Sequence, residues 1–170
     1  ADIILRGDLT ASNAGLLPTD LAVDLASGRD IRFNGVNVAA VGSGGIRIDA
    51  ARTFDAVATD LCCSSGIVRT LSAPGDISIH ATAGAITRSA DDILNISGRD
   101  IGLTTGGAID YFGNATASRD LSAAFGGSFA DNVIASVGRT LSLTATTGNL
   151  TVAAHSAPVM NFAAPTGDVI

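Results

Sequence analysis

The 170-residue chain has no Lys, no Glu, no Gln and no Trp; all ten basic residues are Arg and all sixteen acidic residues are Asp. Lys, Glu and Gln are straight side chains that lose little freedom on a solvent-facing helix. Their absence removes the usual material of a helical surface. Aromatics are 4% of the chain, so a core has to be built mainly from Ala, Val, Ile and Leu. The two cysteines, Cys62 and Cys63, are adjacent and cannot close a loop with each other, which excludes a disulfide framework. They read as two small apolar side chains, one facing in and one out, with a vicinal or intermolecular disulfide as the alternative. With two isolated histidines they are too few ligands for a zinc site.

No apolar run approaches the roughly 20 residues that span a bilayer. The first residues, "ADIILRGD", lack the charged and apolar regions of a signal peptide. The expectation is a chain whose leader was removed, or an internal piece of a longer protein. A net charge of −6 argues against a nucleic-acid partner and against docking on anionic lipid through a basic patch.

What fills the chain is Gly, Asp, Asn, Ser, Thr and β-branched residues, the chemistry of turns and strands. The composition is all-β, and it repeats. A four-residue pattern, Arg then Asp or Thr then a large apolar residue, recurs at Gly28–Ile31, Ala51–Phe54, Val68–Leu71, Gly98–Ile101, Ser118–Leu121 and Gly138–Leu141. Its arginines stand at 29, 52, 69, 99, 119 and 139, so the steps are 23, 17, 30, 20 and 20. The step of 30 predicts an inserted strand or turn between Arg69 and Arg99.

A second element, Gly followed by an alternating apolar pair, begins at Gly44, Gly75, Gly84, Gly106, Gly127, Gly148 and Gly167. Inside both elements the period is two: Ile46 and Ile48 flank Arg47, Ile77 and Ile79 flank Ser78, Leu141 and Leu143 flank Ser142. Alternation of that kind is a short strand with aliphatics inward. A hairpin sandwich would be full of Asn-Gly or Asp-Gly turns, and only Asn34-Gly35 qualifies. A parallel β-solenoid instead needs like residues stacked rung on rung, which the repeats supply. The expectation is one solenoid over residues 1–170, with about 20 residues per rung and seven to eight rungs, a rod on the order of 40 Å long. Neither end reads as a polar cap, so the chain is expected to be a segment of a longer array or to stack end to end with neighbours.

Units such as "SGRDIGLTTGGAID", "GRTLSLTATTGNLTVAA" and "APGDISIHATAGAIT" resemble the repeats of filamentous-haemagglutinin-type exoproteins, over roughly residues 27 to 154. The match is one of composition and rhythm. The resemblance implies a right-handed parallel β-helix, secreted by the two-partner route and used as the shaft or adhesive stalk of a bacterial surface protein. Contact-dependent inhibition proteins share such a stalk. The secretion-domain signature of that family is absent here, and the adjacent cysteines depart from its usual Cys-poor repeats.

Candidate sites are few. If the repeated arginines stack in register, like charges fall about 5 Å apart. The expected structural ladder is Arg29, Asp30, Arg52, Arg69, Arg99, Asp100, Arg119, Asp120 and Arg139, with acids interleaved to relieve the repulsion. Catalysis is not expected. A carbohydrate-active β-helix enzyme needs converging carboxylates; Asp91-Asp92 is the only adjacent pair, its two side chains point to opposite faces, and the nearest approach is Asp92 meeting Asp110 or Asp120. His80 and His155 are isolated and expected at the surface. No metal or other cofactor is expected: Asp and Asn at stacked turns offer calcium ligands, but the nonapeptide calcium repeat is missing. Asn95-Ile96-Ser97, Asn114-Ala115-Thr116 and Asn149-Leu150-Thr151 match the glycosylation sequon and read as ordinary turn-and-strand residues. Arg6-Gly7-Asp8 spells a cell-attachment tripeptide. Gly7-Asp8-Leu9 also repeats Gly75-Asp76-Ile77 and Gly167-Asp168-Val169, so it reads as the first turn of the solenoid. Three functions follow in order: an extracellular structural or adhesive shaft without catalysis, a self-assembling filament subunit, and a carbohydrate-active enzyme. The partners expected are neighbouring repeats or identical subunits stacked end to end, and a host glycan or receptor.

Overall fold

The computed structural model describes residues 1–56, 68–87, 93–109, 112–127, 129–130, 132–153 and 155–170. Among them every regular element is a strand, and no helix is long and apolar enough to cross a membrane. All strand pairs are parallel. The fold is a β-solenoid of three-sided rungs.

The first rung is β1 (Ile3–Leu5), β2 (Leu9–Asn13) and β3 (Leu21–Ser27); the second is β4 (Ile31–Phe33), β5 (Val38–Gly42) and β6 (Gly45–Ala50). The third is β7 (Phe54–Asp55), β8 (Val68–Ser72) and β9 (Ile77–Ala81), and the fourth β10 (Ile86–Thr87), β11 (Ile93–Gly98) and β12 (Ile101–Thr105). The fifth has a single bridge at Ile109, then β13 (Phe112–Ala117) and β14 (Asp120–Phe125). The sixth is β15 (Phe129–Ala130), β16 (Asn132–Val137) and β17 (Thr140–Ala145). The seventh is β18 (Leu150–Thr151), a bridge at Ser156 and β19 (Val159–Ala163). Face A stacks β1-β4-β7-β10 and is continued by β15-β18; face B stacks β2-β5-β8-β11-β13-β16. Face C stacks the seven strands β3-β6-β9-β12-β14-β17-β19, which at about 4.8 Å per step span about 29 Å.

The period-two pairs explain why these residues make strands. Ile46 and Ile48 are fully buried while Arg47 between them faces solvent, and Ile77 and Ile79 bracket Ser78 in the same way. Register places Val23, Ile46, Ile77, Ile101, Leu121 and Leu141 in one inward column of face C. On face A, Phe33 and Phe54 meet edge to face, with centroids 4.9 Å apart and planes at 81°. Each such side chain contributes about 1.5–3 kcal/mol by leaving water, and together they form one continuous core along the axis.

Two spacings differ from expectation. Partner positions on face C are 23, 31, 24, 20, 20 and 19 residues apart, so rungs of 20 hold only for the later part. The long rung runs from Ile46 to Ile77, with its surplus between β7 and β8 rather than between Arg69 and Arg99. Residues 57–67, with Cys62 and Cys63, fall in that surplus and lie outside the described residues. Asn34-Gly35 does not make a hairpin. It turns the chain from β4 to β5 within one rung, with Gly35 at φ 72°.

Close stacking also sets which corners accept a side chain. A Cβ on Gly138 would sit 2.1 Å from the Ser118 carbonyl oxygen, whereas one on Gly7 would meet nothing within 4 Å. Gly138→Ala is therefore expected to lower unfolding free energy by about 1–3 kcal/mol, and Gly7→Ala by less than about 0.5 kcal/mol. Urea denaturation of the two variants checks the contrast, and equal midpoints would contradict the rung spacing described here.

Candidate functional site

The expected arginines do not form one column. Arg29 and Arg52 stand at the corner from face C to face A, just before β4 and β7. Arg99, Arg119 and Arg139 stand at the corner from face B to face C, before β12, β14 and β17. Arg69 belongs to neither: it lies inside β8, 2% exposed, in the inward column next to Leu94 and beside Gly35. The reason is strand phase. In the other copies the strand starts at or one residue before the apolar position, leaving Arg on the turn. In "VRTL" the strand already starts at Val68, and two-residue alternation carries Arg69 inward with Leu71.

The corner from face B to face C holds the longest ladder. Arg99 forks onto Asp76 one rung below, Nε and Nη2 each 2.8 Å from a carboxylate oxygen, and leans on Asp100 beside it at 3.5 Å. Arg119 forks onto Asp100 at 3.0 and 2.8 Å and leans on Asp120 at 3.8 Å. Arg139 closes the series on Asp120, with Nε at 2.8 Å and a second contact from Nη2. Charges thus alternate along the axis, with Arg99 and Arg119 each between two carboxylates and Arg139 on one. At the corner from face C to face A, Arg29 meets Asp2 at 3.4 Å and Arg52 forks onto Asp30 at 3.1 and 2.6 Å. Asp30 is 4% exposed and also receives Arg32 at 3.6 Å. A further pair, Arg47 on Asp24 at 2.9 and 2.6 Å, lies on the outer side of face C.

Backbone capping runs through the same residues. Asp30 Oδ1 accepts from the Thr53 N–H at 3.2 Å, Asp100 Oδ1 from Asp120 at 3.2 Å, and Asp120 Oδ1 from Thr140 at 3.2 Å. Along face B, Asp8 and Asn37 at the strand entries and Asn95 inside β11 accept from the amides of Asn37 at 2.7 Å, Thr70 inside β8 at 2.9 Å and Asn114 inside β13 at 3.2 Å. Asn149 accepts from Asp168 at 3.0 Å. In each of these pairs, and in the Arg–Asp pairs between rungs, the acceptor lies one rung below the donor. Asn37, Asn95, Asn149, Asp24 and Asp76 are therefore part of the ladder although the Arg-centred pattern passed over them. Their signal was an Asp or Asn one residue before an inward aliphatic.

The tripeptide Arg6-Gly7-Asp8 sits between β1 and β2. Arg6 and Gly7 are exposed, while the Asp8 carboxylate is taken up by the Asn37 backbone and side chain. Gly7-Asp8, Gly75-Asp76 and Gly167-Asp168 turn out to occupy three different corners, before face A-to-B, B-to-C and C-to-A strands respectively. They share the chemistry of strand entry and not one position in the rung. His80 projects outward from β9, Nδ1 3.4 Å from Asp49. His155 departs from its expected surface position: its ring lies 6.2 Å from that of Phe162 and its nitrogens are shielded from solvent. Asp91, Asp92 and Asp110 lie outside the described residues. Among the described residues no group of three or more His, Cys or Asp side chains is placed to hold a metal ion.

The Arg139 guanidinium holds the Asp120 carboxyl down to about 2, with Thr140 adding to it against partial desolvation. Arg52 lowers Asp30 likewise, and the Asn37 N–H lowers Asp8. Asp55 moves the other way, pushed up by burial despite the hydroxyl of Thr87 at 3.2 Å.

Replacing Asp120 separates charge from capping. Asp120→Asn keeps an oxygen for the Thr140 N–H, as Asn37 and Asn95 do naturally, while Asp120→Ala loses both. Urea midpoints at neutral pH should fall in the order wild type, Asp120→Asn, Asp120→Ala, and an alanine variant as stable as wild type would overturn the ladder's role. The depressed carboxyls also fix an acid limb. A folded pKa below the unfolded value of about 3.9 contributes stability that is complete above pH 4 and is lost as pH falls toward about 2. A pH series of thermal melts should show that loss, and it should be smaller in Asp120→Asn.

Comparison with known proteins returns no match: no family model fits the chain, and no curated protein or solved structure is significantly similar to it.

Proposed function

We propose that the chain is a structural shaft, a stretch of β-solenoid that sets distance and direction on a bacterial surface and carries no catalytic centre. The observation behind this reading is where the polar chemistry goes. The carboxylates and guanidiniums at the corners fork onto the next rung along the axis instead of converging on a point in space. A surface whose charged groups are spent on its own stacking suits a spacer or stalk, and it keeps a regular outer face of short Ser, Thr and Asn side chains. The repeat chemistry resembles that of secreted haemagglutinin-type stalks, which supports a location outside the cell, with adhesion to a glycan or receptor as the associated role.

A second reading, a subunit of an extracellular filament, is favoured by one feature. Of the exposed large apolar side chains, Ile4, Leu17 and Leu21 lie on the first rung and Val159, Met160, Val169 and Ile170 at the last, with Val41 and Val68 on the second and third. Sheet edges with such residues invite a further strand. Sedimentation velocity over a wide concentration range, with electron microscopy of the same samples, separates the two. The shaft reading expects a monomeric rod at all concentrations, and the filament reading expects rods in integer multiples of one length. Antibody labelling of intact cells tests the location. Protein found only after lysis would reject a surface role.

A further inference from the structure

We infer that residues 14–20 form a clasp that locks the first rung directly to the third, so that rungs one to three open as a single unit. In a solenoid each repeat ordinarily contacts only its neighbours, and rungs can detach one at a time. Here the corner from face B to face C departs from that rule.

In the second rung this corner is as short as the chain allows. Only Ser43 and Gly44 separate β5 from β6, and Gly42 and Gly44 take φ of 95° and 90°. In the first rung the same corner holds seven residues, 14–20, between β2 and β3. The longer segment overhangs the shorter corner. Its tip is a β-turn over Leu17–Asp20 with Pro18 at the second position, where a fixed φ is favourable. The Asp20 N–H donates to the Leu17 carbonyl at 3.0 Å, and Asp20 Oδ2 accepts from the Leu17 N–H at 2.8 Å. The segment is pinned to the second rung by the Leu16 N–H on Ser43 Oγ at 3.0 Å and by the Gly45 N–H on the Asp20 carbonyl at 2.7 Å.

The contact that matters crosses the second rung altogether. The Pro18 carbonyl accepts from the Asp76 N–H of the third rung at 3.1 Å. On the fifth and sixth rungs of this column the equivalent amide is capped by the aspartate below it: Asp100 caps Asp120 and Asp120 caps Thr140. Below Asp76 stands Gly45, with no side chain to offer. The clasp supplies the missing acceptor from one rung further down. The glycines are its imprint: a Cβ on Gly44 would come within 2.9 Å of Leu16 Cδ1, and one on Gly75 within 2.4 Å of the Pro18 oxygen. Asp76 is also the lowest acid of the longest Arg–Asp ladder, so the clasp anchors that ladder's foot.

Hydrogen exchange measured residue by residue on the whole chain tests this. In the wild type, the Asn37 amide between rungs one and two and the Asp76 amide should share one opening equilibrium. In the double variant Ser43→Ala, Asp20→Ala, which removes the Ser43 pin and the Asp20 side-chain brace of the turn without touching the ladder, the Asp76 amide should exchange at least tenfold faster. The Asp120 and Thr140 amides should keep their wild-type protection. An Asp76 amide unchanged in the variant would overturn the clasp. So would a wild-type Asn37 amide exchanging at least tenfold faster than that of Asp76, a measurement that stands even if the variant fails to fold.

Discussion

A strand entered from a tight corner begins with a backbone N–H that the rung below cannot always meet with a carbonyl. An amide left unmet in that position costs about 1–3 kcal/mol, and a solenoid repeats the position at every corner of every rung. In this chain the side chain of an Asp or Asn one rung down supplies the oxygen, as with Asp30 for Thr53, Asp100 for Asp120 and Asp120 for Thr140. The stacking of the rest of the molecule depends on that contact, because it fixes both the height and the register at which the next strand starts.

The peculiar composition follows from it. The gap between rungs is about 4.8 Å, which a one-methylene carboxylate or carboxamide spans while its own backbone stays in the turn. A longer Glu or Gln would overshoot its own neighbour. Once carboxylates are stacked at a corner they repel, and the counter-charge must touch two of them at once. The planar fork of Arg does so, gripping the acid below and leaning on the one beside it, which the point charge of Lys cannot match. Most of these pairs are partly open to water, and each on its own contributes little. Their value lies in series, along with the amide caps made by the same carboxylates.

Much of the fold was legible in the sequence, because two-residue alternation around Arg47, Ser78 and Ser142 leaves no freedom over which side chains face in. The parallel stacking was legible from the recurrence of one strand-entry pattern and the scarcity of hairpin turns. Assigning each copy to a corner was not. "GRDI" at Gly28 and "GRDI" at Gly98 are identical in sequence, yet one enters face A and the other face C. Four residues encode how to enter a strand, and say nothing of which strand in the rung it is. Arg69 shows the same limit at finer scale: a strand that begins early turns a surface arginine into a core one. The capping asparagines were hidden for a different reason: the repeating pattern is marked by charge, and they carry none.

The caps also give the rod a direction. In every cap described, oxygen waits below and the amide arrives from above. The main-chain ladder itself has no such bias: the Ile31, Ile46 and Ile77 amides donate upward, to Thr53, Asp76 and Asp100 of the next rung. Only the side-chain caps all point one way, and they superimpose a polarity on a backbone ladder that bonds equally in both directions.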